Sequence, residues 1–146
     1  MPHDIDFAQL VSNVGDAVVV SDEEGAIVVW NAAAERIFGF TQAEALGRSL
    51  DLITPDRHRQ RHWDGYLKTM QTGVTRYGSD VLRVPALHKD GRALSIAFTV
   101  GLLFNADHKV TGITAVIRDE TDRWNEERQM RRRLRELESE TNSVGH

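Results

Sequence analysis

The spacing of apolar residues changes period several times along the 146-residue chain. In DIDFAQLVSNVGDA, Phe7, Leu10, Val11 and Val14 recur at helical intervals and predict a short amphipathic helix. AVVVSDEEGAIVVWN reads as two β-rich runs, 17–21 and 26–30, around a turn in which Gly25 can supply positive φ. Asn31 is placed to cap AAAERIFGF, whose Ala33, Ile37 and Phe40 share a side. Residues 41–44 match a capping box for another short helix, closed by Gly47. After Pro55 a long helix is expected from Asp56 to Thr72, stopped by Gly73. There Trp63, Leu67 and Met70 fall at i, i+4 and i+7 with Tyr66 beside them, which predicts the buried face.

Strands then return. DVLRVPALHKDGRALSIAFTVGLLF predicts a hairpin turned at 89–91, and its second arm alternates. Leu94, Ile96, Phe98, Val100, Leu102 and Phe104 face one side; Ala93, Ser95, Ala97 and Thr99 face the other. A further strand, VTGITAVIRDET, follows a turn at 105–108, with Ile113, Ala115 and Ile117 on one face. From Arg123 the chain turns Arg- and Glu-rich, and Met130, Leu134, Leu137, Thr141 and Val144 are spaced 4-3-4-3. That is a coiled-coil seam of two heptads, so a homodimer is expected, the alternative being a solvated helix lying on its own domain.

Two strands cannot bury a face alone, so all five are expected in one antiparallel sheet with the helices across one face, an α+β fold. The expected divisions are an N-terminal cap helix at 1–15, the domain body at 16–121 and a C-terminal helix at 122–146.

Composition narrows the chemistry. The chain has no cysteine, which excludes disulfides, thiolate metal sites, iron–sulfur clusters and thiol catalysis. Its net charge is −4, and the arginines at 131–133 are offset by nearby glutamates, so no nucleic-acid partner is expected. No apolar run approaches the roughly 20 residues of a membrane span and no signal peptide opens the chain, so a cytoplasmic, non-membrane protein is expected. Asp22, Glu23 and Glu24 are turn acids, and no Ser/His/Asp set, Walker loop or G-x-G-x-x-G occurs. The i, i+4 pair His58/His62 in HRQRH lacks the glutamate of a zincin, and its arginines would repel a bare cation. No catalytic residue is assigned.

DAVVVSDEEGAIVVWNAAAERIFGFTQAEALGRSL, the KDG turn and the closing IRDETDR together resemble a PAS domain over about Phe7 to Trp124. PAS domains host many ligands or none, so the fold alone does not assign a cofactor. The flavin-binding light-oxygen-voltage type needs a cysteine where this chain has GRSLDLITPDR, which rules that branch out.

LITPDRHRQRHWDGYL is similar to the segment that carries the iron-ligating histidine in haem-binding PAS sensors of the FixL type. Counting forward from Pro55, His62 takes the ligand position; counting back from Tyr66, Trp63 does, because one residue is inserted. One residue turns a helix by about 100°, so either the helix starts in another register or the ligand sits differently. The resemblance implies haem b on His62, with His58 and His88 as alternative ligands. It maps the propionate partners near Lys68 and Arg76, and the distal apolar wall onto Phe98 and Val100, with Ile113 on the neighbouring strand. The distal arginine of the oxygen sensors maps to Leu82, with Arg83 one place off and on the other face. The distal wall is then apolar, with Tyr77 the nearest donor, and the implied ligand is CO or NO more than O₂.

Three functions follow as expectations. The first is a haem sensor of a diatomic gas or redox state, signalling through IRDETDRW. The second is a cofactor-free PAS module for dimerisation or a small apolar ligand. The third is a stand-alone haem PAS protein with redox or oxygen-dependent enzymatic activity. No kinase, cyclase or DNA-binding segment follows, so the signal is expected to pass to another, unidentified chain.

Overall fold

The buried side chain of Asn31 ties four segments together, and the fold is organised around it. Its Oδ1 accepts the Ala34 amide (3.0 Å) and the Val18 amide (2.9 Å), while Nδ2 donates to the carbonyls of Val11 (2.9 Å) and Asp16 (3.1 Å). It therefore caps α2 (Ala32–Phe38) and pins β1 (Ala17–Asp22) and the end of α1 (Phe7–Asn13) to it. A polar side chain this buried persists because all its hydrogen-bonding capacity is used.

The computed structural model describes residues 4–75 and 80–144, the last three without their side chains. β2 (Ile27–Trp30) pairs with β1 around the Gly25 turn. α3 (Gln42–Ala45) carries the reciprocal Thr41–Glu44 capping box. A 3-10 turn at Leu50–Ile53 leads into α4 (Asp56–Thr72), which Gly73 ends in the left-handed region. β3 (Leu82–Leu87), β4 (Ala93–Phe104) and β5 (Val110–Asp119) complete the sheet, and α5 (Thr121–Val144) leaves it. Every pairing is antiparallel, in the order β2-β1-β5-β4-β3, so β5 is the central strand although it is last in sequence.

The core lies between the inner sheet face and the helices of the first half. Trp30, Phe38 and Ile27 are its largest fully buried side chains, joined by Ala17, Val19, Leu94, Ile96 and Ile117. The alternation of β4 survives over 94–102 but not at its end. Phe104 lies beyond a bulge after Leu103 and is 49% exposed. Ala97, on the outer face, is buried between Arg83 and Arg118 of the flanking strands.

The face of α4 differs from its spacing-based prediction. Tyr66 is its buried residue, His62, Trp63, Thr69 and Met70 are half-buried, and Leu67 is 60% exposed. The cause is tethering. The Tyr66 hydroxyl donates to the Asp22 carbonyl, and Trp63 Nε1 donates to Asp51 Oδ1 at 2.7 Å. These bonds fix the rotation of the helix with Leu67, one residue past Tyr66, turned outward.

Candidate functional site

Three rows of inner-face residues cross the sheet beneath α4. Ala17 pairs with Ile117, Ile117 with Phe98 and Phe98 with Leu82; Val19 pairs with Ala115 and Ala115 with Val100; Ser21 pairs with Ile113 and Ile113 with Leu102. Strand alternation alone puts Leu82, Phe98, Val100 and Ile113 on one surface. The rows are deeply buried at Ala17, Val19 and Ile117 but only half-buried at Leu82, Phe98, Val100, Leu102, Ile113 and Ala115. Half-burial is unusual for apolar side chains on the core face of interior strands such as β4 and β5.

α4 explains it. At one end Trp63 lies against the 22–25 turn, where a Cβ on Gly25 would meet its ring at 2.2 Å. At the other end Gly73 sits over Val110 and Phe104. Between these supports the Tyr66 hydroxyl reaches Ser21 and Asp22 of β1. α4 is thus held over the sheet at its two ends, and the apolar residues of β4 and β5 that face it stay half-buried.

His62 stands on this helix one turn before Tyr66. Its ring meets those of Trp63 (4.8 Å between centroids, near perpendicular) and Tyr66 (5.8 Å). Its Nδ1 is sealed from solvent and, among the described residues, has no hydrogen-bond partner. Burial pushes the imidazole pKa below its ordinary value, with the nearby Asp51 carboxylate opposing in part. The neutral ring this favours is the form that binds a metal. Tyr66 accepts from Ser21 Oγ at 2.8 Å, and burial raises its phenol pKa, which keeps it a donor to Asp22.

The alternative histidines are engaged elsewhere. His58 Nε2 accepts from Arg57 Nε at 3.2 Å in the first turn of α4. His88 packs its ring on Gly39, the C-cap of α2, and its Nδ1 accepts the Asp90 amide at 3.1 Å. Leu82 faces Phe98 on the inner surface, whereas Arg83 pairs with Ala97 on the outer one and reaches Glu120 at 3.4 Å. Lys68 is exposed on α4, and Arg76 and Tyr77 lie outside the described residues. Among the described residues no three His, Asp or Glu side chains gather as for a bare metal ion; a haem iron requires only one such ligand from this face.

Sequence reasoning did not find Asp51, Ser21 or the second role of Gly25. Ser21 and Tyr66 are 45 positions apart, and nothing in either local pattern pairs them.

Comparison with known proteins agrees with this architecture. A family model described as the PAS fold matches residues 5–119. An uncharacterized protein of Azorhizobium caulinodans is 36% identical over 121 residues, 80% of this chain and 16% of that protein. Sensor protein FixL of Bradyrhizobium diazoefficiens is 30% identical over 132 residues, 90% of this chain and 25% of that protein. The chain thus spans a quarter or less of the length of these curated relatives. Among solved structures, the PAS domain of a Colwellia psychrerythraea protein aligns with a TM-score of 0.69 at 22% identity, over 80% of this chain and 95% of that one. An RNA-binding light-oxygen-voltage receptor aligns with a TM-score of 0.66 at 20% identity, over 88% of this chain and 36% of that one. At these identities the structural likeness speaks to fold alone. The match across the domain body and the five-stranded sheet with its helices on one face establish that the chain belongs to the PAS family.

Proposed function

We propose that this PAS domain is a haem-b sensor in which His62 ligates the iron and a cleft between α4 and the inner face of β4 and β5 holds the porphyrin. One observation carries the reading: Nδ1 of His62, on the same side of α4 as Tyr66, is closed off from water and left without a partner among the described residues. A buried nitrogen in that condition costs about 1–3 kcal/mol, a burden that stability alone does not favour. Held by one histidine, haem iron offers a further position to CO, NO or O₂, chemistry that the protein's own side chains do not supply.

The chain's residues have separable roles in this reading. Phe98, Val100, Ile113 and Leu82 form the apolar wall and exclude water. Trp63 and Tyr66 orient the His62 ring by contact. Lys68 and Arg76 are the cations that the resemblance proposes for the propionates, and Tyr77 is the donor it proposes on the gas side. With Leu82 inward and Arg83 bound to Glu120, the wall facing the gas is apolar, which favours CO and NO over O₂.

Output would leave through β5. The strand that floors the cleft runs into Asp119, whose Oδ1 accepts the Thr121 amide at 2.9 Å at the start of α5. Thr121 Oγ1 in turn accepts the Ser95 amide of β4 at 3.0 Å. The similarity to FixL, a sensor protein, supports a sensory role. The test is reconstitution of purified protein with haemin and reading of the Soret region. A band that saturates at equimolar haemin and shifts on reduction and CO addition is expected. A protein that stays colourless would overturn the haem reading and leave a cleft for a small apolar ligand.

A further inference from the structure

The 3-10 turn at Leu50–Ile53 bears a carboxylate that the turn itself does not need. Ser49 Oγ caps it by accepting the Asp51 amide at 3.1 Å, and the Asp51 carbonyl accepts the Thr54 amide at 3.2 Å. Arg59 clamps the approach to α4, donating to the carbonyls of Asp51 and Thr54 at 3.0 Å each and pairing with Asp56 at 2.6 Å. The Asp51 side chain stands apart from these bonds. Arg59 Nε is 3.8 Å from it, and among the described residues the hydrogen bond it accepts comes from Trp63 Nε1, at 2.7 Å.

That bond holds one end of the indole. The other end, at Cη2 and Cζ3, lies on Gly25, where a Cβ would come within 2.2 and 2.3 Å of these atoms. Braced between the two turns, the indole meets His62 at 4.8 Å and Tyr66 at 5.3 Å between centroids, both edge-to-face. Tryptophan suits the place because it is long enough to reach both turns and has an N–H that needs a partner when removed from water. We infer that Asp51 is a positioning residue of the His62 site: its carboxylate fixes the Trp63 indole as the wall that holds the imidazole with Nδ1 sealed from water. The carboxylate also lies close enough to the imidazole to oppose the effect of burial on it, so bond and charge have to be separated. Asparagine separates them, since it keeps an acceptor oxygen for the indole and loses the charge. Because Ser49, Thr54 and Arg59 hold the turn through its backbone, Asp51→Ala is expected to fold.

The first test uses the full chain without haem and does not depend on what the cleft binds. Carbethoxylation of His62 by diethyl pyrocarbonate, located by peptide mass spectrometry, is expected to run about tenfold faster in Asp51→Ala than in the parent, and within about twofold of the parent in Asp51→Asn. Trp63→Phe should speed it as much as Asp51→Ala, and the double variant should be no faster than either single one, because the two residues act as one unit. Parent-like reactivity in Asp51→Ala, or an additive double variant, would overturn the inference. Asp51→Asn reacting as fast as Asp51→Ala would overturn it too, because charge rather than the bond would then be responsible. If circular dichroism shows that Asp51→Ala has lost its fold, Asp51→Asn against Trp63→Phe decides by the same criterion. The second test rests on the haem reading: Asp51→Ala is expected to weaken haemin binding about tenfold, and Asp51→Asn by no more than about threefold. Haemin binding by Asp51→Ala equal to the parent's would overturn the role of Asp51. A parent that takes up no haemin would overturn the haem reading alone, and the reactivity of His62 would still decide the inference.

Discussion

The hydroxyls of Tyr66 and Ser21 meet at 2.8 Å, joining the middle of α4 to the edge of the row that runs through Ile113 to Leu102. That bond and the Tyr66 donation to Asp22 set which way α4 is turned. His62 owes its place at the border of the cleft to them.

Tyr66→Phe removes both bonds while keeping the ring against His62. Ser21 has the Ile113 carbonyl within reach at 3.5 Å, so only part of the loss is uncompensated. Urea unfolding should show a loss of about 1–2 kcal/mol. The haem-loaded Soret band should shift or weaken, because these two bonds help set the rotation of α4 that places His62.

Gly25→Ala strikes the other support of α4. Gly25 has φ +81°, and its new Cβ would lie 2.2 Å from Trp63 Cη2. Left-handed backbone and overpacking together should cost about 3 kcal/mol in thermal or urea unfolding. A loss below about 0.5 kcal/mol would mean that α4 is not seated on this turn.

Glu44 gives the pH dependence. The Lys89 ammonium, 2.6 Å away, and the Thr41 amide hold its pKa at about 2, against an ordinary 4.5. A depressed carboxylate contributes stability that is fully present above its unfolded-state pKa and is lost as pH falls through the folded one. The link between α3 and the β3–β4 turn is therefore expected to hold at pH 5 and to weaken from about 4.5 down to about 2. Lys89→Met should move the Glu44 titration, followed by carbon NMR, back toward its ordinary value. Complete return is not expected, because the Thr41 amide remains.

Arg83→Ala tests the composition of the distal wall. Arg83 is on the outer sheet surface with Glu120, so its removal should leave the gas affinities of haem-loaded protein within about twofold. A tenfold drop confined to O₂, about the worth of one lost hydrogen bond, would put Arg83 in the cleft.

The sheet and its turns were legible because they are local. The second arm of the hairpin alternates over 94–102, and the Thr41 capping box and the Gly73 stop need only neighbours within a few positions. The rotation of α4 was not legible. Helical spacing made Leu67 and Tyr66 equally apolar, and the choice between them lies in bonds to Ser21, Asp22 and Asp51, all distant in sequence. The inner-face position of Leu82, Phe98, Val100 and Ile113 was legible, because alternation along each strand fixes it. The environment of His62 required the fold, since burial and the absence of a partner for Nδ1 belong to no local pattern.

The central claim is that His62 is the protein's haem ligand. Haemin titration of the parent protein beside His62→Ala, with and without free imidazole, tests it most directly. The account predicts an equimolar Soret transition in the parent, its loss or displacement in His62→Ala, and its return when imidazole is added. The same band in both proteins without imidazole would contradict it.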